Sequence, residues 1–228
     1  MSASSVRAEV WQATAAAGTS RVVPDGCMDL ILIEGQIIVA GPDTRAHTVP
    51  SLTSAVCGIR FAPGVLSSAL GVAANELTDA RPEAIDVVPA ALTRAMRTVS
   101  TDDHGLFAEQ TLAMIRGRIA EGFVCAPEVR ALRAAAARSE PLAQTARSLH
   151  MSERTLNRRA QQAFGYGPAT LRRILRFRRA RAMLAGHTAA EVAASAGYAD
   201  EAHLSRDVRR LAGCTPAQLR RLNEPASG

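Results

Sequence analysis

The sequence predicts an α+β chain: a small N-terminal antiparallel sheet with helices, followed by an all-α domain of two helix-turn-helix units joined by a long helix. Three observations carry that prediction. One residue pattern occurs twice between residues 141 and 221, at an offset of 48. Short β-type runs separated by turn sequences fill the first sixty residues. The charge is also divided: residues 1–138 hold 12 Arg against 14 acids, and residues 139–228 hold 15 Arg against 7. A length of 228 residues is enough for two small domains with separate cores.

Residues 1–5 are small and polar and read as disordered. Strands are expected at 9–13, 21–23, 28–33, 37–40 and 55–61, because apolar and β-branched residues cluster there. Glu34-Gly35 between two apolar runs marks a hairpin, and Pro24-Asp25-Gly26 and Gly41-Pro42-Asp43 are turn sequences. Five strands imply a small sheet, at best a reduced barrel. Beyond Pro63 the pattern turns helical, with short helices to Leu70 and over 73–77. Val88, Leu92, Met96 and Val99 keep helical spacing. Leu112, Ile115 and Ile119, widened by Phe107 and Met114, give a longer amphipathic helix ending near Gly122. Pro127 opens a further helix to about Arg138, which can belong to either side of a domain boundary between 123 and 140. The organisation read from this is residues 1–122 as an N-terminal regulatory domain, 123–140 as connector and 141–222 as the duplicated helical domain.

In the first copy Leu156-Asn157-Arg158 is followed by Gly165 and Pro168-Ala169; in the second Leu204-Ser205-Arg206 is followed by Gly213 and Pro216-Ala217. A small residue, Ala146 or Ala193, stands where the second helix of each unit crosses the first closely. The turn needs a residue that tolerates positive φ, which Gly197 supplies and His150 supplies less readily. Ser152 and Asp200 can cap the helices that follow. Leu156, Ala160 and Phe164 face inward, as do Leu204, Val208 and Leu211. That leaves Arg154, Thr155, Asn157, Arg158 and Gln161 on one outer face, with Arg159 beside them, and Glu201, Ala202, Ser205 and Arg206 on the other. Arg and Asn at such spacing suit the donor–acceptor pattern of a DNA major groove. Between the units, 168–185 reads as one helix with Pro near its first turn and a stop at Gly186. At ~1.5 Å per residue it spans about 27 Å, which can hold two such helices about one DNA turn (~34 Å) apart.

At this point the stretch resembles the DNA-binding domain of AraC/XylS-type bacterial transcription regulators. The matching residues are Arg176, Ala180 and Leu184, then Val192-Ala193, Gly197-Tyr198, Leu204, Arg206 and Gly213-x-Thr215-Pro216. It departs from the family where aromatic residues are common, at His203-Leu204 and at Val208. The segments Val23-Pro24-Asp25-Gly26-Cys27-Met28-Asp29-Leu30, Gly58 to Gly64, Leu70-Gly71 and Glu76-Leu77-Thr78-Asp79 look like the short N-terminal domain of one branch of these regulators. The resemblance implies a sequence-specific regulator that binds double-stranded DNA, answers to a small-molecule effector, works with RNA polymerase and admits a homodimer. It implies no ligand identity. The eight outer-face residues from Arg154 to Arg158 and from Glu201 to Arg206 are the expected DNA contacts.

Other readings compete. Asp25, Asp29 and Arg60 can bind a polar effector, or Asp25 can serve a turn while Arg60 pairs with a carboxylate. The four cysteines, at 27, 57, 125 and 214, lack metal-ligand spacing and fit unpaired thiols of a reducing cytoplasm. Cys27 and Cys57 with His47 can instead form a redox or metal sensor, or simply pack as small residues. The helix at 104–121 can be a dimer face or core. An enzyme fused to the DNA-binding module, as in alkylation-repair regulators, would require a zinc-bound cysteine cluster that these isolated cysteines cannot provide. Control by a protein partner is the remaining alternative. No catalytic triad, phosphate-cradling Gly loop or metal cluster is recognisable, so no enzyme activity and no cofactor are expected. No membrane span or signal peptide is visible, and a cytoplasmic location is expected.

Overall fold

Turn chemistry sets the sheet. The computed structural model describes residues 8–14, 19–50 and 54–223; residues 1–5, expected to be disordered, lie outside them. Strand β3 (Met28–Ile33) returns as β4 (Gln36–Ala40) through Glu34 and Gly35, at φ 49° and 76°. Two consecutive left-handed residues match the twist of the flanking strands and fix the register of Ile33 opposite Gln36. On the other side of β3 lies β6 (Val56–Phe61), and β1 (Ala8–Ala13) pairs with β6 at the edge, all antiparallel. A separate pair joins β2 (Ser20–Val22) to β5 (His47–Val49). The β5 strand was not expected, because His47-Thr48-Val49 holds a single apolar residue before Pro50.

The pleat sorts the four-stranded sheet into two faces. Leu30, Leu32, Val39, Ile59 and Phe61 point to one side and are buried under α1 (Val65–Leu70) and α4 (His104–Ala120). The opposite face carries Trp11, whose indole lies so closely over Gly58 that any Cβ there would overlap the ring. A 3-10 turn at Ala74–Glu76 and the helices α2 (Ala84–Val87) and α3 (Ala90–Met96) complete this half. Pro89 starts α3 after the break, so the apolar spacing of 88–99 spans more than one element. On α4, Phe107 and Ile115 are fully buried in the N-terminal core. The stripe considered as a dimer face therefore packs inside the chain.

The second half consists of α5 (Pro127–Ala137), α6 (Leu142–Ser148), α7 (Glu153–Phe164), α8 (Pro168–Met183), α9 (Ala189–Ala196), α10 (Glu201–Ala212) and α11 (Pro216–Asn223). Helix α8 stops at Met183, two residues short of the expected end. Its Leu171, Ile174, Leu175 and Phe177 form the centre of a core shared with Leu156, Phe164, Val192, Leu204 and Val208. Val129, Leu132 and Ala136 of α5 enter the same core, so this connecting helix packs with the duplicated units.

The single tryptophan gives a direct readout of the sheet. Gly58→Ala should destabilise the chain by about 1–3 kcal/mol, as for overpacking. It should also red-shift Trp11 fluorescence as the indole is lifted off the strand. Unchanged emission and urea midpoint would show that the ring does not need the glycine.

Candidate DNA-binding surface

Each unit is assembled by its turn and cap. In the first, His150 takes φ 51° after α6, and Ser152 Oγ accepts the Thr155 amide at 3.1 Å to start α7. Thr155 Oγ1 shares a 2.9 Å hydrogen bond with that same Ser152 hydroxyl, so Thr155 is half-buried at the cap. Arg154, Asn157 and Arg158 are exposed. Neither Arg154 nor Arg158 makes a hydrogen bond or ion pair among the described residues. Asn157 leans toward the start of α8, its Oδ1 only 2.6 Å from where a Gly167 Cβ would stand. Arg159 is drawn away to Glu128 of α5 at 3.5 Å, so it backs the scaffold instead of the outer face.

In the second unit Gly197 takes φ 81° after α9, which begins in a capping box between Thr188 and Glu191. Asp200 then caps α10 by accepting the His203 amide at 2.6 Å. Glu201, Ala202 and Arg206 are exposed and Ser205 is half-buried. Sequence inspection missed what holds α10 on the linker helix. Asp207 is 7% exposed, accepts from Arg176 Nη2 at 2.6 Å and lies 3.6 Å from Arg173 Nε. The Arg176 guanidinium also lies 4.3 Å from the Tyr198 ring centroid and 3.2 Å from His203 Nε2, and His203 meets Tyr198 edge-on. The signal was present: an acid one residue before Val208 sits on the inward stripe and needs a cation there.

Asp25, Asp29 and Arg60 do come together. Arg60 grips Asp29 through two hydrogen bonds of 3.2 and 3.1 Å and reaches Asp25 at 3.3 Å. Trp11 Nε1 donates to the same Asp29 at 3.0 Å, and Asp25 Oδ1 accepts the Cys27 amide at 2.8 Å as a turn residue. These groups satisfy one another, which is the ion-pair and turn arrangement. Burial raises the Asp29 carboxyl above its ordinary range against the pull of Arg60. The thiols are likewise pushed up: burial, aided by Asp25, takes Cys27 to about 12, and burial raises Cys57. Both are poor nucleophiles near neutrality. His47 bonds to Arg81 and Asp43, and no group of three metal-ligating side chains exists among the described residues. No described helix is long and apolar enough to cross a membrane.

Two helix-turn-helix units mounted on one linker helix, with open arginines, Arg158 and Arg206, at the matching position of each second helix, are the build of a DNA-binding transcription regulator. The comparisons agree. A helix-turn-helix domain family matches residues 145–222, and a domain of unknown function, DUF6597, matches residues 6–83. Among solved structures, ToxT from Vibrio cholerae is similar over 95% of this chain and 98% of its own, with 11% identity and a TM-score of 0.52. A second ToxT structure, bound to (E)-4-(8-methylnaphthalen-1-yl)but-3-enoic acid, gives 12% identity and 0.51 over the same shares. The C-terminal domain of AraT, a response regulator from Geobacillus stearothermophilus, is 24% identical over 45% of this chain and 90% of its own, with a TM-score of 0.41. Curated proteins gave no match. The chain carries an AraC-type helix-turn-helix domain behind a DUF6597 domain.

Removing Asp207 tests the tie between α10 and α8. Asp207→Ala should cost about 3–5 kcal/mol in urea unfolding, because it leaves a mostly buried cation unpaired. A loss under about 1 kcal/mol, the value of an exposed pair, would contradict that role.

Proposed function

We propose that this chain is a sequence-specific regulator that reads two successive major-groove segments of duplex DNA through α7 and α10. The division of labour is residues 1–122 for regulation, 141–222 for DNA and 123–140 as connector, with the protein acting in the cytoplasm. The observation that carries the proposal is the pair of exposed helix faces at matching positions of the repeat, with Arg154, Arg158 and Arg206 open to solvent. Arg154, Thr155, Asn157 and Arg158 are the proposed contacts of the first unit, and Glu201, Ala202, Ser205 and Arg206 those of the second. The first helix carries more of the base specificity. Arg can grip guanine with two hydrogen bonds and Asn can do so for adenine, whereas Asp200 and Glu201 bring negative charge toward phosphates. Arg206 mainly holds phosphate.

The regulatory signal is proposed to be a small molecule taken up by the N-terminal half. A cleft of about 580 Å³ between α3 and α4, lined by Leu92, Val99, Met114 and Arg118, supports this. The ligand named in one ToxT structure is a small apolar acid. Asp25, Asp29 and Arg60 then act as an internal brace through which such a signal would pass. Ligand-dependent thermal stabilisation of the full chain distinguishes sensing from control by a protein partner, which predicts none.

Arg154→Ala and Arg158→Ala should each cost about 1–3 kcal/mol of binding and relax preference at one base position. Arg206→Ala should weaken all sequences evenly and lower the salt slope by about one. A binding selection on random duplexes measures all three. If the half-site under α10 carries more information, the proposed asymmetry is reversed; salt-independent affinity would contradict DNA binding by these faces.

A further inference from the structure

An α-helix leaves its last four carbonyls without partners inside the helix. Both α7 and α10 end against the N-terminal half, and one equivalent position is met in each repeat. In the first unit the Ala163 carbonyl accepts from Ser67 Oγ at 2.9 Å, and the Gly165 carbonyl accepts from Thr78 Oγ1 at 3.2 Å. In the second, the Leu211 carbonyl accepts from the Ala46 amide at 2.9 Å, and the Ala212 carbonyl accepts from Arg21 Nη1 at 2.6 Å. Ala163 and Leu211 are equivalent positions, 48 residues apart.

One short segment reaches both ends. Pro42 packs on Gly165, where a Cβ would stand 2.5 Å from its ring, and Ala46 holds Leu211. Four residue steps of extended chain cover at most about 14 Å, so the two helix ends cannot separate further while both contacts last. The segment is itself braced from one side. Asp79, at φ 56°, accepts from the Thr44 amide at 2.8 Å and from Thr44 Oγ1 at 2.6 Å, and its own amide donates to the Pro42 carbonyl at 3.2 Å. Arg81 ties Asp43 at 2.7 Å. The linker helix restrains α10 from within the C-terminal core, through Arg176 and Asp207. The segment closes the other side.

We propose that residues 42–46 form a strap that sets the separation of the two reading helices, which makes Thr44 and Asp79 positioning residues for DNA half-site spacing. The N-terminal half thereby contributes to specificity without touching DNA. This inference rests on the reading of α7 and α10 as the DNA-reading helices.

The test uses the full chain and a duplex recovered by selection, with the spacer between half-sites lengthened or shortened by one or two base pairs. Asp79→Gly keeps the left-handed backbone and deletes the carboxylate; Thr44→Val removes one of its donors. Urea unfolding confirms that each variant is folded, and Thr44→Val alone carries the test if Asp79→Gly is not. The native chain should lose about tenfold in affinity per base pair of altered spacing, as for a mismatched position. The variants should bind the best spacing within about threefold of native while the spacing penalty falls below about threefold. A merely structural role would lower affinity equally at every spacing. Folded variants that keep the native spacing profile would overturn the strap. A native chain indifferent to spacing on a two-part site, or protecting only one groove segment, would instead overturn the two-helix reading beneath it.

Discussion

Helix α8 is the constraint on which the rest depends. Leu171, Ile174, Leu175 and Phe177 are buried on its surface, and both helix-turn-helix units share their core with it. The order of events in sequence follows from this. Gly165 must end α7 sharply enough for Pro168 to start α8, and Gly213 must do the same before Pro216 starts α11. At ~1.5 Å per residue, the sixteen residues of α8 span about 24 Å, so the units it carries are held at a distance comparable with one turn of DNA. The outward side of α8 is also occupied. Arg178 donates to the Asp25 carbonyl at 3.3 Å, which seats the turn before β3 on the linker helix.

The N-terminal half is therefore more than an appendage. Its own core is filled by Leu30, Ile59, Phe61 and Phe107, while Val23 leaves that core and joins the one around α8. Polar groups at the seam are used pairwise: Arg60 with Asp29 and Asp25, Ser67 and Arg21 with helix-end carbonyls. Arginines on the open helix faces have no such partners among the described residues, and those are the groups left for phosphates and bases.

Much of this was legible in the sequence, for reasons that differ by element. The repeat could be read because left-handed turns and close crossings demand particular residues, Gly197, Ala146 and Ala193, at fixed spacing. The β3–β4 hairpin could be read because Glu34-Gly35 serves its turn. The pairing of β2 with β5 could not, since Arg21 and His47 carry no alternation to match. Nor could the seam between the halves. Its acceptors are the backbone carbonyls of Ala163, Gly165, Leu211 and Ala212, and every residue has a carbonyl. The triad of Asp25, Asp29 and Arg60 was found as a group. Whether its charges face a ligand or each other depends on the β3–β6 register that sets Asp29 opposite Arg60. Arg159, expected beside the outer face, pairs with Glu128 on a helix whose packing side the sequence left open.

The most direct measurement is a hydroxyl-radical footprint of the full-length chain on a selected duplex. Two protected segments on one face of the helix, centred about one turn (~10 base pairs) apart, are the result expected of two reading helices on one rigid linker. Protection of a single segment, or of two segments on opposite faces, would contradict the account.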